Sequence, residues 1–556
     1  MVCLTAKTKD ILIQTGIAII GLLLFVPGLG AVHLFDWDEI NFAESAREML
    51  VTGDFLNVQI NFRPFWEKPP LFIWMQALSM KIFGVNEFAA RFPNAICGVC
   101  TLLVLFRTGR RLKDSGFGLL WVLLYAGSIL PFFYFKSGII DPWFNLFIFT
   151  GTAYFIRYCD GSDKADKMAM AVLSGLFLGL AVLTKGPVGF LLFVLTFFVF
   201  LCIRRFRFDF KWKHVAGFFA ALCIAGGFWF VLLVINGKFS VIQDFIMYQI
   251  RLFETKDAGH GGFPFYHFVI LFAGVFPASI IALPAFGRKV LARENDGRMA
   301  LFFRWMMIFF WVVLLLFSIV RTKIIHYSSA CYFPLTFLAA YITERYVRNE
   351  GDMPMYVKVL LSVFSVVYAA AVAIVTQFDK IKSFIIPYVA DEFAVGNMQA
   401  ESSWYGFEAF AGLLLLAGLV AALVLFARKR SFNGIAALSA GVMSYMFATT
   451  LFVAPQVEKY SQGAAIEFLE SKKGEDCYIC LPYYKSYAHY FYSDRQPGNT
   501  CDDREYLLRG ALDKPCYIVL HDVEDQRRSI AADSPDAGLI YEKNGFAFYR
   551  REPSAK

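Results

Sequence analysis

The sequence predicts an α-helical polytopic membrane protein with a small α/β domain at its C-terminal end. Three observations predict it. Apolar runs recur from residue 11 to residue 454 and are continuous rather than alternating, which suits spanning helices and not a β-barrel. Only 18% of residues are charged against 58% hydrophobic, and mean hydropathy is +0.54; a soluble protein carries roughly a quarter charged residues. Beyond residue 455 the composition turns polar and short β-like runs begin.

A spanning helix needs about 20 apolar residues. Runs long enough lie near 11–29, 93–107, 116–135, 141–157, 168–184, 186–203, 214–235, 264–286, 300–320, 327–343, 355–376, 406–427 and 432–454, which makes about 13 expected spans. Lys7 and Lys9 precede the first, but no small-residue cleavage site follows it, so it reads as a retained anchor. Basic residues cluster in every second loop, at 107–113, 157–167, 204–213, 288–298, 345–348 and 428–430. This alternation predicts an inside N-terminus and an outside C-terminus. It also accounts for the net charge of +8 without invoking nucleic acid.

The expected membrane domain is 1–454, with 30–92 as a long first outer loop. Within that loop, 70–85 is an amphipathic stretch expected to lie at the membrane surface, flanked by Trp66 and Trp74. Segment 455–556 is expected to be an outer α/β domain with a helix at 460–472 and strands at 477–481, 516–520, 538–541 and 546–550. Its cysteines, Cys477, Cys480, Cys501 and Cys516, allow three full pairings in an oxidising compartment.

The candidate chemistry lies in the outer loops. Asp36, Asp38, Glu39 and Glu44 crowd four carboxylates into nine positions, and Glu67-Lys68-Pro69 follows. Asp141 opens the fourth expected span, Lys185 sits in Leu183-Thr-Lys-Gly186, and Arg251, His260 and Tyr266 mark the next outer loop. Lys323, His326 and Tyr327 mark the one after. Taken singly, each has a plainer reading. Asp141 before Pro142 suits a helix N-terminus, the lysines and Arg321 suit snorkelling to headgroups, and His326 suits an interfacial position. Taken together, they put acids and cations on one membrane face, where ionisable groups usually serve function. Carboxylates beside cations and an oily slot suit transfer from a lipid phosphate: an acid takes the acceptor proton while cations hold the leaving phosphate. No phosphate-binding Gly-rich motif is present, which disfavours a soluble nucleotide donor.

Asp38-Glu39, Glu67-Lys68-Pro69, Asp141, Leu183-Thr-Lys-Gly186 and Lys323-Ile-Ile-His-Tyr327, in this order, resemble the membrane glycosyltransferases of the GT-C class. The likeness is closest to the bacterial aminoarabinose (lipid A) transferases, relatives of the protein O-mannosyltransferases. The resemblance implies a GT-C fold in the bacterial inner membrane, with the active site and the C-terminus periplasmic. It implies a polyprenyl-phosphate-linked sugar donor, an inverting transfer, and a lipid or protein acceptor. It implies Asp38 as general base, Asp141 and Glu39 as further acids of the pocket, and Lys68 with Arg251 on the carrier phosphate. Glu67, Lys185, His260, Tyr266, Lys323, His326 and Tyr327 would bind substrate. No cofactor is certain; if a divalent metal takes part, Glu67 and His326 are the candidate ligands. The chain departs from the aminoarabinose pattern at Asn41 and Phe42, where a cation and a tyrosine are usual. The alternative is a transporter of lipid-linked sugar.

Overall fold

In lipid, backbone polar groups must pair within the chain, so the apolar runs fold as helices. The computed structural model describes residues 6–554 except 162–165, 209–210, 255–261, 288–289 and 291–296. Among the described residues, eight helices are long and apolar enough to cross a membrane, from Thr8–Phe25 to Ser431–Glu458. A ninth is reached if Tyr266–Gly274 and Ala278–Phe286, bent by 106° at their break, form one span. The count of about 13 is therefore corrected to eight or nine by this measure. The difference lies in four runs that fold as interrupted, shorter or more polar helices. The run at 116–135 breaks after Ala126, Val188–Ile203 and Tyr332–Val347 have 16 residues each, and Asp141–Cys159 carries Asp141, Asn145 and Arg157.

Small residues let the helices touch. A Cβ on Gly175 or Gly179 would collide with the backbone of Phe218 or Leu222, so Lys167–Lys185 packs hard on Trp212–Ile235. The bundle end at the basic loops is laced by ion pairs: Arg298 Nε lies 2.9 Å from Asp160, and Arg110 meets Asp10.

The first loop forms the helix Asp38–Thr52, a hairpin of β1 (Gln59–Ile60) and β2 (Arg63–Pro64), and the helix Leu71–Phe83 in the stretch expected to be amphipathic. The buried Glu48 carboxylate accepts the N–H groups of Asn61 and Phe62 at 2.6 and 2.8 Å, holding the hairpin turn. The C-terminal region has a helix at Gly463–Ser471 and a sheet of β3 (Tyr478–Cys480), β4 (Cys516–His521), β5 (Gly538–Lys543) and β6 (Phe546–Arg551). The strand order is β3-β4-β6-β5, with β3 and β4 parallel and the rest antiparallel. All four strands form where the sequence pattern has them. Ile466, Phe468 and Phe548 share one apolar cluster with Phe42, Met49 and Phe72, so this region packs on the first loop. Cys477, Cys480, Cys501 and Cys516 are all free, so the structure selects none of the three possible pairings.

Candidate active site

Four chain segments end at one place. Asp38 opens the helix Asp38–Thr52, and Asp141 opens Asp141–Cys159 with Pro142 behind it. Both carboxylates sit where the helix dipole favours negative charge. Lys185 is the last residue of its helix. Gly186 follows at φ 87°, where a Cβ would press on the Phe245 ring at 3.0 Å, so the helix must stop with Lys185 on its final turn. His326 lies in the 3₁₀ turn Ile325–Cys331.

Lys185 Nζ is 2.7 Å from Asp141 Oδ1. Asp141 Oδ2 is buried without a hydrogen-bond partner and lies 3.8 Å from His326 Nε2. The same nitrogen is 3.2 Å from Asp38 Oδ2, so His326 stands between the two acids. Burial lowers the His326 pKa more than the facing Asp141 and Asp38 raise it. A neutral ring of this kind can hold Asp38 by donating Nε2–H. Asp38 itself is 31% exposed and open to a partner.

Beside this cluster lies a cavity of about 300 Å³. Lys68, Asp141, Lys185, Gln249, Thr322 and Tyr327 supply its polar lining, and Phe144, Val188, Leu191, Leu316, Phe317 and Val320 its apolar wall. Lys185 Nζ sits 5.4 Å from the Tyr327 ring centre. Lys68 Nζ lies 5.5 Å, and the Arg251 guanidinium 5.3 Å, from the Tyr248 ring, so one tyrosine carries both cations. Two cations near one carboxylate beside an oily wall can receive a phosphate with an apolar tail.

The other expected site residues lie elsewhere. Glu39 turns away from Asp38. Its carboxylate pairs with Arg91 at 2.7 Å, accepts Phe35 N–H at 2.8 Å and meets Gly138 N–H, and it is 2% exposed. It fastens the first loop to the bundle, because a buried carboxylate needs this many partners. Lys323 gives its ammonium to the carbonyls of Phe317, Ser318 and Val320 at 2.6–2.9 Å, capping the helix Arg298–Ile319 and using all three donors. Tyr266 packs against His267 and does not line the cavity. Glu67 meets Gln249 through its backbone carbonyl at 3.5 Å. Among the described residues Glu67 and His326 do not join in a group of three close donors, so the suggested metal pair is not assembled. His260 lies outside the described residues.

The acidic patch is not one cluster. Asp36 bonds Ser486, Asp38 faces His326, Glu39 pairs with Arg91 and Glu44 with Arg47. The sequence reasoning missed Arg91, Tyr248 and Gln249. Tyr248 was legible as a helical neighbour of Arg251, three positions before it in the amphipathic helix Phe239–Glu254. It also missed the C-terminal neighbours of the site: the Trp37 ring lies 5.5 Å from that of Tyr487 and under Lys485 Nζ at 4.2 Å. No local signal in the chain announces those contacts.

Residues 67–229 match the family described as dolichyl-phosphate-mannose-protein mannosyltransferase. An uncharacterized protein of Aquifex aeolicus is 28% identical over 339 residues, covering 60% of this chain and 74% of that one. The undecaprenyl phosphate-alpha-4-amino-4-deoxy-L-arabinose arabinosyl transferase of Edwardsiella ictaluri is 25% identical over 344 residues, 60% of each chain. Its counterpart in Pseudomonas aeruginosa is 24% identical over 418 residues, 73% of each. The crystal structure of ArnT from Cupriavidus metallidurans bound to undecaprenyl phosphate superposes over 98% of both chains, with a TM-score of 0.76 and 20% identity. In sequence this chain is similar to membrane glycosyltransferases, and it has the fold of that ArnT.

Proposed function

We propose that this chain is a glycosyltransferase that takes a sugar from a polyprenyl-phosphate carrier and passes it, with inversion, to a lipid or protein acceptor. The observation that carries the reading is the meeting of Asp38, His326, Asp141 and Lys185 beside a half-oily cavity that Asp141, Lys185 and Lys68 line. The similarity to transferases named for undecaprenyl phosphate-aminoarabinose and dolichyl-phosphate-mannose supports the carrier class.

In this reaction Asp38 accepts the proton of the acceptor hydroxyl. The hydroxyl oxygen bonds to the anomeric carbon from the side opposite the phosphate. The bond from that carbon to the phosphate oxygen breaks, and its electron pair leaves on the polyprenyl phosphate. Lys68, Arg251 and Lys185 meet the charge that grows on the phosphate. His326 orients Asp38, and Asp141 holds Lys185 in place. The wall of Leu191, Leu316 and Val320 receives the first isoprene units. The alternation of basic loops supports a site on the outer face of a bacterial inner membrane.

The donor sugar in this reading is of the aminoarabinose or hexose kind, and the acceptor is a lipid A-like glycolipid or a protein hydroxyl. Asn41 and Phe42, where the chain departs from the aminoarabinose pattern, are each 2% exposed, and Phe42 packs on Phe72 at 5.8 Å. They bear on helix packing rather than on the sugar. A lipid-linked sugar transporter would need charged paths at both faces, whereas the cavity charges come from one end of the bundle. Purified protein given radiolabelled polyprenyl-phosphate sugar and envelope lipids should form a labelled product; carrier movement without glycosidic bond formation would overturn the reading.

A further inference from the structure

A second group of donors lies where the C-terminal region meets the membrane bundle. We propose that His33, Glu87 and Glu470 bind a divalent transition metal, best matched by zinc, that staples the two together. The three come from separate segments: the exit of the first helix, the first residue of Glu87–Leu112, and the last turn of Gly463–Ser471. One donor atom from each lies within 4.8 Å of the others.

The histidine is already set for a metal. Its Nδ1 bonds the buried Glu458 carboxylate at 2.7 Å, and its backbone N–H is held by the same group at 3.2 Å. A carboxylate on one ring nitrogen fixes the tautomer and leaves the other nitrogen's lone pair for a cation. That other nitrogen, Nε2, faces Glu470 at 3.9 Å. Charge points the same way. Three carboxylates, Glu87, Glu458 and Glu470, surround one imidazole. Arg91, one turn along from Glu87, spends its guanidinium on Glu39 and on the carbonyls of Leu29, Val32 and His33. An imidazole with carboxylates suits zinc rather than magnesium or calcium, which take oxygen alone. Zinc bonds of about 2.0–2.2 Å draw donors closer than they stand. Glu470 is 51% exposed and has the freedom to close that gap. Since His33 leads directly into Asp36-Trp-Asp38, the bound metal also steadies the strand of chain entering the active site.

The test uses the full chain in detergent, stripped with chelator and titrated calorimetrically with zinc chloride alone. Wild-type protein should bind one tight equivalent. His33→Gln and Glu470→Gln should each lose it, while Glu458→Gln should weaken it roughly 10–100-fold. Glu470 is an exposed side chain, so its variant stays folded, as gel filtration would check. His326→Gln should keep the equivalent, because the site is not the catalytic one. Zinc should also slow proteolytic release of the C-terminal region in wild type and not in Glu470→Gln. Absence of a tight equivalent in wild type, or one that survives both His33→Gln and Glu470→Gln, would overturn the proposal.

Discussion

Asp141 divides its carboxylate unequally: Oδ1 is 2.7 Å from Lys185 Nζ, whereas Oδ2 is buried with no hydrogen bond. Both side chains line the cavity. An ion pair with one idle oxygen at a cavity wall leaves that oxygen able to accept a further hydrogen bond.

Removing one member of this pair should be worse than removing both charges. Lys185→Ala leaves Asp141 as a buried unpaired carboxylate, at a cost of about 3–5 kcal/mol. Lys185→Ala with Asp141→Asn should recover part of that loss in thermal unfolding while staying inactive. Additive effects in the double-mutant cycle would refute the coupling.

Asp38→Asn keeps the shape of the side chain and removes the proposed base. Turnover should fall by roughly 10²–10⁴-fold, with the donor still bound. Radiolabel transfer measured beside donor binding separates the two effects.

Two lysines of the same face should behave differently. Lys68→Ala removes a cation from the cavity and should lower kcat/KM for the donor about tenfold or more, since a bond to a charged group is worth about 1.5–3 kcal/mol. Lys323→Gln touches a helix cap instead, so it should lower stability and leave the donor KM unchanged.

Glu39→Ala should reduce the yield of folded protein rather than the chemical step. It strips Arg91 of its buried partner, at a cost of about 3–5 kcal/mol. The check is gel filtration of membrane extracts against activity per folded molecule; normal yield with lost turnover would return Glu39 to catalysis.

The C-terminal region should be acid-labile. Burial holds His489 neutral, with its pKa pushed down to about 3, and its Nδ1 is unpartnered. A depressed histidine is neutral in the folded chain while the unfolded chain takes up a proton below its ordinary value near 6.5. Stability is therefore full above that value and falls by about 1.4 kcal/mol per pH unit as pH drops from there towards 3. His489→Gln should flatten this slope between pH 6 and pH 4 in proteolysis or thermal scans.

Much of the fold was legible because it depends on local composition. Continuous apolar runs must become helices, and short β-branched and aromatic runs after residue 455 became β3 to β6. The number of long spans was less legible, because run length does not reveal where a helix breaks, as it does after Ala126. In the site, Asp38, Asp141, Lys185, Lys68, His326 and Tyr327 could be gathered by reasoning about one membrane face. Glu39 and Lys323 could not be set apart from them, since their partners, Arg91 and the carbonyls of Phe317 to Val320, are met only on folding.

By itself, then, the order of residues determined that this is a membrane helix bundle followed by a polar C-terminal region, with its charged residues gathered mainly between the apolar runs. Composition and periodicity act on neighbours in sequence, and these features need nothing more. Only the tertiary structure decided which acid faces His326, which is clamped by Arg91, and which histidine is turned towards two glutamates by a third. Those are contacts across hundreds of residues, set by packing, and the free energy of a charge depends on what packing puts beside it.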